Sequence, residues 1–153
     1  NAIDDTRHTP LHLASNKGTA ELLIDAGADV DAKTLSEEET LLYSVARNAA
    51  QGGSKSYQIY LDLAKLLIAK GADVNVKLKS GETTLHVVAR QFSEKHASEV
   101  CELLIANGAK VNEFNMKGQT PLDEALTNKR SKTAEVLRKR GGQSGEELKA
   151  EVK

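Results

Sequence analysis

Tryptophan is absent from the 153 residues, cysteine and methionine occur once each, proline twice, and aromatic residues make up 3% of the chain. The single thiol, Cys101, rules out an intrachain disulfide, so stability has to come from packed apolar side chains, and a reducing, cytoplasmic setting fits. So few rings leave no platform for stacking nucleobases. No apolar run approaches the ~18 residues that cross a membrane. An excess of either charge is also lacking: 21 Lys and Arg face 22 Asp and Glu, for a net of −1. That balance removes any global attraction to nucleic acid or to an acidic membrane surface. At 16.5 kDa the length suits one domain with a continuous core, and a monomer is expected.

What the chain does contain is one phrase written four times. Thr9-Pro10-Leu11-His12-Leu13-Ala14 returns as Thr40-Leu41-Leu42-Tyr43, Thr83-Thr84-Leu85-His86 and Thr120-Pro121-Leu122-Asp123. Each is answered downstream by Leu22-Leu23-Ile24-Asp25-Ala26-Gly27-Ala28 or a relative of it, at Leu66 to Asn75, Leu103 to Asn112 and, more worn, Val136 to Gly141. The Thr9 and Thr120 hydroxyls suit helix N-caps, and Pro10 and Pro121 then fall at the first helical position, where a missing N–H costs nothing. Leu63, Ala64, Leu66 and Leu67 recur on one helical face, as do Val100, Cys101, Leu103 and Leu104. Gly27, Gly71 and Gly108 follow where a helix would end in a left-handed residue.

Self-similarity near 33 residues, opened by Thr-Pro-Leu-His, resembles the ankyrin repeat. The resemblance implies an all-α solenoid of stacked helix–turn–helix units with hairpin-like loops, in which one pair cannot cover its own apolar stripe and leans on the next. Repeats are expected over about 1–30, 31–74, 75–111 and 112–142, with a charged helical cap over 143–153. Ser144-Gly145-Glu146-Glu147 reads as a capping box for that last helix. Asn1-Ala2-Ile3-Asp4 aligns with the inside of a joining loop, and the first helix carries no polar outer stripe, so a removed upstream neighbour is expected. In the last repeat Thr133 and Arg138 replace apolar residues, as a terminal, solvent-facing unit would require.

The units differ in length. From Thr9 to Gly27, Thr40 to Gly71, Thr83 to Gly108 and Thr120 to Gly141 they run 18, 31, 25 and 21 positions. The first is short around Gly18 and Thr19, which predicts a stubby second helix. The second carries extra residues between Arg47 and Asp62, and the third between Arg90 and Glu99, so both inserts are expected to bulge together at one end of the array. After Gly52-Gly53, a cap at Ser54 or Ser56 followed by Tyr57, Ile59, Tyr60 and Leu63 predicts extra helical turns. That insert either packs on its neighbour or presents Tyr57 and Tyr60 to a partner.

Positions able to carry chemistry are few. His12 and His86 sit in the opening phrase and give way to Tyr43 and Asp123 elsewhere, so no catalytic ensemble repeats; the resemblance assigns them to a structural hydrogen-bond network. His8 and His96 lack partners at metal-ligand spacing, Cys101 falls on a core face, and no glycine-rich phosphate loop is present. No enzyme activity, metal or cofactor is expected. Lys129, Arg130, Lys132, Arg138, Lys139 and Arg140 form a basic run that either holds an acidic ligand or nucleic acid, or serves as a polar cap. Asn75 and Asn112 resemble asparagines that hold the inter-repeat turn.

Carried over by position, the resemblance implies protein–protein recognition through loop tips and the concave first-helix face. The tips offer Asp5, Thr6 and His8; Leu35, Ser36 and Glu39; Lys79, Ser80 and Glu82; and Met116, Lys117 and Gln119. First-helix ends offer Asn16 and Lys17, Arg47 and Asn48, Arg90 and Gln91, and Thr127 and Asn128. Leu35, Leu78, Phe114 and Met116 are apolar residues in loops, suited either to an interface centre or to tucking beneath the next loop. The tip between the first two units, Leu35-Ser36-Glu37-Glu38-Glu39-Thr40, lacks its turn glycine and carries one residue extra. A structural spacer within a larger protein is the remaining alternative.

Overall fold

A computed structural model describes residues 8–14, 16–34, 38–51, 54–91 and 93–151, with only the backbone described for Ser54 and Lys55. Among the described residues eight helices follow in order: α1 (Lys17–Asp25), α2 (Leu41–Gln51), α3 (Ser54–Ala69), α4 (Thr84–Ala89), α5 (Glu94–Ala106), α6 (Pro121–Thr127), α7 (Ser131–Lys139) and α8 (Gly145–Glu151). No strand occurs among the described residues. The helices α2, α4 and α6 form one layer, each packed against its successor; in the other, α1 packs on α3 and α5 on α7, while α2 packs against both α3 and α5.

The core follows the repeated phrase. Leu11, Leu42, Leu85 and Leu122 hold the same position in the four units, and none exceeds 1% exposure. Leu67, Leu104 and Leu137 are their fully buried counterparts on the second helices. Each such side chain contributes roughly 2 kcal/mol on burial. The second helices end alike. Gly27, Gly71, Gly108 and Gly141 all have φ between 84° and 94°. Each donates to the carbonyl three residues back, while the next residue donates five back, as in Ala28 N–H to Leu23 O at 2.9 Å. This double bond pattern closes the orphan carbonyls and turns the chain toward the next unit.

The shortening of the first unit falls elsewhere than the sequence indicated. Helix α1 has nine residues, as does α7, so it is not stubby. The residues are missing from the first helix instead: Thr9 to Ala14 forms one tight turn of three successive i to i+3 bonds. Asn16 already caps α1, its side chain accepting Thr19 N–H at 2.9 Å, and leaves no length for a helix from Pro10.

The inserts lengthen α3 to 16 residues and α5 to 13. They meet face to face: the Tyr57 ring stacks on His96 at 3.9 Å and 7°, and the Tyr57 hydroxyl donates to Glu99. Tyr57 therefore packs on the neighbouring insert. Thr133 also departs from expectation. It is fully buried against the third unit, 3.5 Å from Ser98 Oγ, instead of forming a solvent stripe. Leu78 tucks in at 8% exposure. The capping box of α8 is present, with Ser144 N–H donating to Glu147 and Glu147 N–H to Ser144 Oγ.

Candidate partner-binding face

The site is built from what ties one unit to the next. In the third unit His86 Nδ1 accepts Thr83 N–H at 3.1 Å, and Nε2 lies 3.1 Å from Gln119 O. A carbonyl only accepts, so Nε2 carries the proton. Burial lowers the His86 pKa and keeps the ring neutral. His12 repeats the pattern toward Glu39 O at a longer 3.4 Å. At the fourth unit the next partner is not a carbonyl but Gly145 N–H at the start of α8, and there Asp123 accepts it at 2.8 Å. The change from histidine to aspartate thus inverts donor and acceptor to suit the neighbour.

The loops between units are joined by a second row of bonds. Asn75 Nδ2 donates to Gly108 O while its Oδ1 accepts Lys110 N–H; Asn112 does the same with Gly141 O and Gln143 N–H. Asp31 takes this place at the first junction and accepts Asp73 N–H with both oxygens, at 3.0 and 3.2 Å. A carboxylate has no proton to give the carbonyl. Burial raises the Asp31 pKa and the charges of Asp73 and Asp29 add to it, against the lowering effect of the Asp73 N–H.

On the tip side, Glu39 pairs with Arg47 and Glu82 with Arg90, in the same relative positions of the second and third units. Arg90 also reaches Glu124 of the fourth, at 3.7 Å. Burial alone would raise the Glu82 carboxyl, but the Arg90 hydrogen bond and charge outweigh it and hold it below the usual range. Burial raises Glu124 despite Arg90. These charges brace the face from within.

The residues expected at the face divide accordingly. Lys79, Ser80, Met116, Lys117 and Thr127 are exposed at tips three and four and on α6. Glu39, Arg47, Asn48, Glu82, Arg90, Gln119 and Asn128 are half-buried, several within the bracing just described. Gln91 is buried, its side-chain amide donating to Val87 O at 2.6 Å, and so is placed for structure instead of contact. His8 stands edge-on to His12, and Asn16 and Lys17 are exposed at the start of α1. Asp5, Thr6, Leu35 and Ser36 lie outside the described residues. Sequence reasoning missed Asp31 and Glu124, although Asp31 was findable as the outlier beside Asn75 and Asn112.

Among the described residues of this face no reactive groups converge. An open recess of about 380 Å³ lies between tip four and α8 and holds Asp123, Glu146 and Lys149. Among the described residues no three His, Cys, Asp or Glu lie close enough to share a metal. Cys101 is fully buried with its thiol pKa raised by that burial. The basic run of the last unit is partly neutralised, Arg138 by Glu147 and Lys139 by Glu135. No described helix is long and apolar enough to cross a membrane.

Stacked helix pairs, glycine-terminated second helices and a row of joined loops define a repeat array built to present a surface. A model of three ankyrin repeats matches residues 48–147, and a single ankyrin repeat matches residues 6–35. The chain belongs to the ankyrin-repeat family, whose members generally serve as protein–protein interaction modules and are typically non-catalytic. No curated protein sequence matches it.

Proposed function

We propose that this chain is a recognition module that grips a protein partner with its loop tips and the concave face of its first helices. The observation that carries the reading is the backbone bond between adjacent tips, Met116 N–H to Ser80 O at 2.9 Å, beside the Glu82–Arg90–Glu124 bracing. Together they fix exposed residues of two units in one frame before any partner arrives. Fixing contact groups beforehand reduces the ordering cost of association. A row of tips and helix ends of this kind is large enough for the ~800 Å² per partner of a standard complex.

The test is a display selection of peptides against the full chain, followed by affinity measurement on two variant sets. One set changes Lys79, Ser80, Met116 and Lys117 to Ala; the other changes the exposed outer-helix residues Lys65, Glu102 and Glu135 to Ala. Selected binders are expected to lose affinity on the tip set and keep it on the outer set. Binders that follow the outer set instead would refute the assignment of the face.

A further inference from the structure

The first unit turns to solvent a face that the later units keep covered. Four positions of the repeat make up this face, two on the opening segment and two on the second helix. One residue past the opening threonine, Pro10 is exposed, whereas Leu41, Thr84 and Pro121 are buried. Four residues past it, Leu13 is 67% exposed, while Ser44 is half-buried and Val87 and Glu124 are buried. Eight residues before the closing glycine, Thr19 is exposed, whereas Leu63, Val100 and Thr133 are buried. Five before it, Leu22 is exposed, while Leu66 is buried and Leu103 and Val136 are half-buried. Beside Pro10 an open recess of about 150 Å³ is also lined by Leu23, Ala26, Gly27 and Ala28, without a charged side chain.

In the later units the cover is the preceding unit. Thr133 lies 3.5 Å from Ser98 Oγ on α5, Lys132 N–H next to it donates to Glu94 at 2.7 Å, and Arg90 reaches Glu124 on α6 at 3.7 Å. Residue type does not explain the difference. Pro10 and Thr19 match Pro121 and Thr133 in kind and position, yet the first pair is open and the second buried. What separates them is the third unit, which lies against the fourth. The opposite end of the array is arranged otherwise. Helix α8 occupies the outward side of the fourth unit at Asp123, so closely that a Cβ on Gly145 would stand 2.5 Å from Gly118 O. A second copy stacking its last unit on the first unit of another would need that same place.

We propose that the open face of the first unit seats a further helix pair of the same kind, ahead of Thr9 in the same polypeptide and made like the third unit on its contact side. Continuity of the interface names the occupant, since the positions left open are those that a preceding unit covers elsewhere in the molecule. The match of Thr19 to Thr133 narrows it further. The seated helix carries a small hydroxyl side chain where the third unit has Ser98, and leaves room beside it for Leu13 and Leu22. Stacking takes these two leucines out of water in the way the rest of the core is formed. Such a unit would add one more tip to the row assigned to recognition, but the proposal does not rest on that reading.

The experiment compares the full chain with one that carries residues 75–111 a second time, directly ahead of Asn1. That join copies one already present, because Asn1 and Asn112 each stand eight residues before an opening threonine. Hydrogen exchange is followed at the α1 amides of Ala20, Leu23 and Ile24. The added unit is expected to slow them by more than about tenfold. Leu22→Lys is expected to leave them within about twofold in the chain alone and to speed them by more than about tenfold in the longer chain, with Leu22→Ala falling between. Equal rates with and without the added unit, or an equal response to Leu22→Lys in both chains, would overturn the proposal. So would sedimentation of the full chain as a dimer that Leu22→Lys separates, which would give the face to a second copy. The coding sequence ahead of Asn1 supplies an independent check. An opening threonine phrase and a closing Leu-Leu-Ile-x-x-Gly-Ala or a relative of it are expected within about 33 residues, and a start codon without them would also overturn the proposal.

Discussion

The junction between the first two units and the junctions that follow use the same positions with opposite effect. Asn75 and Asn112 each give and take a hydrogen bond with the next unit, whereas Asp31 only takes. The linking histidine follows suit: His86 is fully buried with its carbonyl at 3.1 Å, His12 half-buried with its carbonyl at 3.4 Å. Leu22 is 74% exposed where Leu66 is 7% exposed in the second unit. At these described positions the first unit is held by fewer and longer hydrogen bonds, and the Met116–Ser80 bond between tips three and four stands at the better-joined end. Rigidity in such an array is set junction by junction.

The largest effect expected is at His86. Its replacement by Ala leaves Thr83 N–H and Gln119 O without their partner in a site of zero exposure. A loss of about 3 kcal/mol is expected in urea unfolding, against about 1 kcal/mol for His12→Ala. Equal losses would dissolve the contrast between the junctions. Next comes Gly81→Ala. The left-handed φ and the approach to Met116 N predict a cost of about 1–2 kcal/mol and the opening of the bond between tips, visible as faster exchange of the Met116 amide.

Asp31→Asn is expected to stabilise by about 1 kcal/mol, by supplying the donor that Asn75 and Asn112 already have. The gain depends on pH. The folded pKa of Asp31 is raised, so its own contribution is most favourable below the usual aspartate value of 3.8 and is lost as pH climbs through the raised value. The advantage of Asn over Asp is therefore smallest in acid and complete above that window; an advantage that grew toward acid would show the sign to be wrong. The smallest effect belongs to Glu38, which has φ 60° at the place of the turn glycines Gly81 and Gly118. Glu38→Gly is expected to gain about 0.5 kcal/mol by thermal unfolding, once the flexibility glycine adds to the unfolded chain is set against the relieved strain.

Sequence alone conveyed the architecture because its determinants are local and repeated. Leu11, Leu42, Leu85 and Leu122 mark the core by their place in the phrase, and the glycines mark each turn by the conformation they permit. The failures came where a residue's role depends on its neighbour in space. Thr133 looked solvent-facing because polarity was read without the third unit that covers it. Gln91 looked available because its bond to Val87 O is invisible in composition. The gap in the short first unit can be placed on either side of Asn16 from sequence, and only the Asn16 cap puts it in the first helix. The sequence leaves Tyr57 open to two roles, because the His96 ring it stacks on comes from another unit.

Amide hydrogen exchange followed residue by residue under native conditions tests most directly whether tips three and four are already joined, through Met116 N–H and Ser80 O, in the chain by itself. The Met116 amide, although its side chain is the most open at a loop apex, is expected to exchange as slowly as the amides within α4, with the amides of Ala26, Gly27 and Ala28 exchanging much faster. A Met116 amide that exchanges at the rate of an unstructured loop would contradict the account.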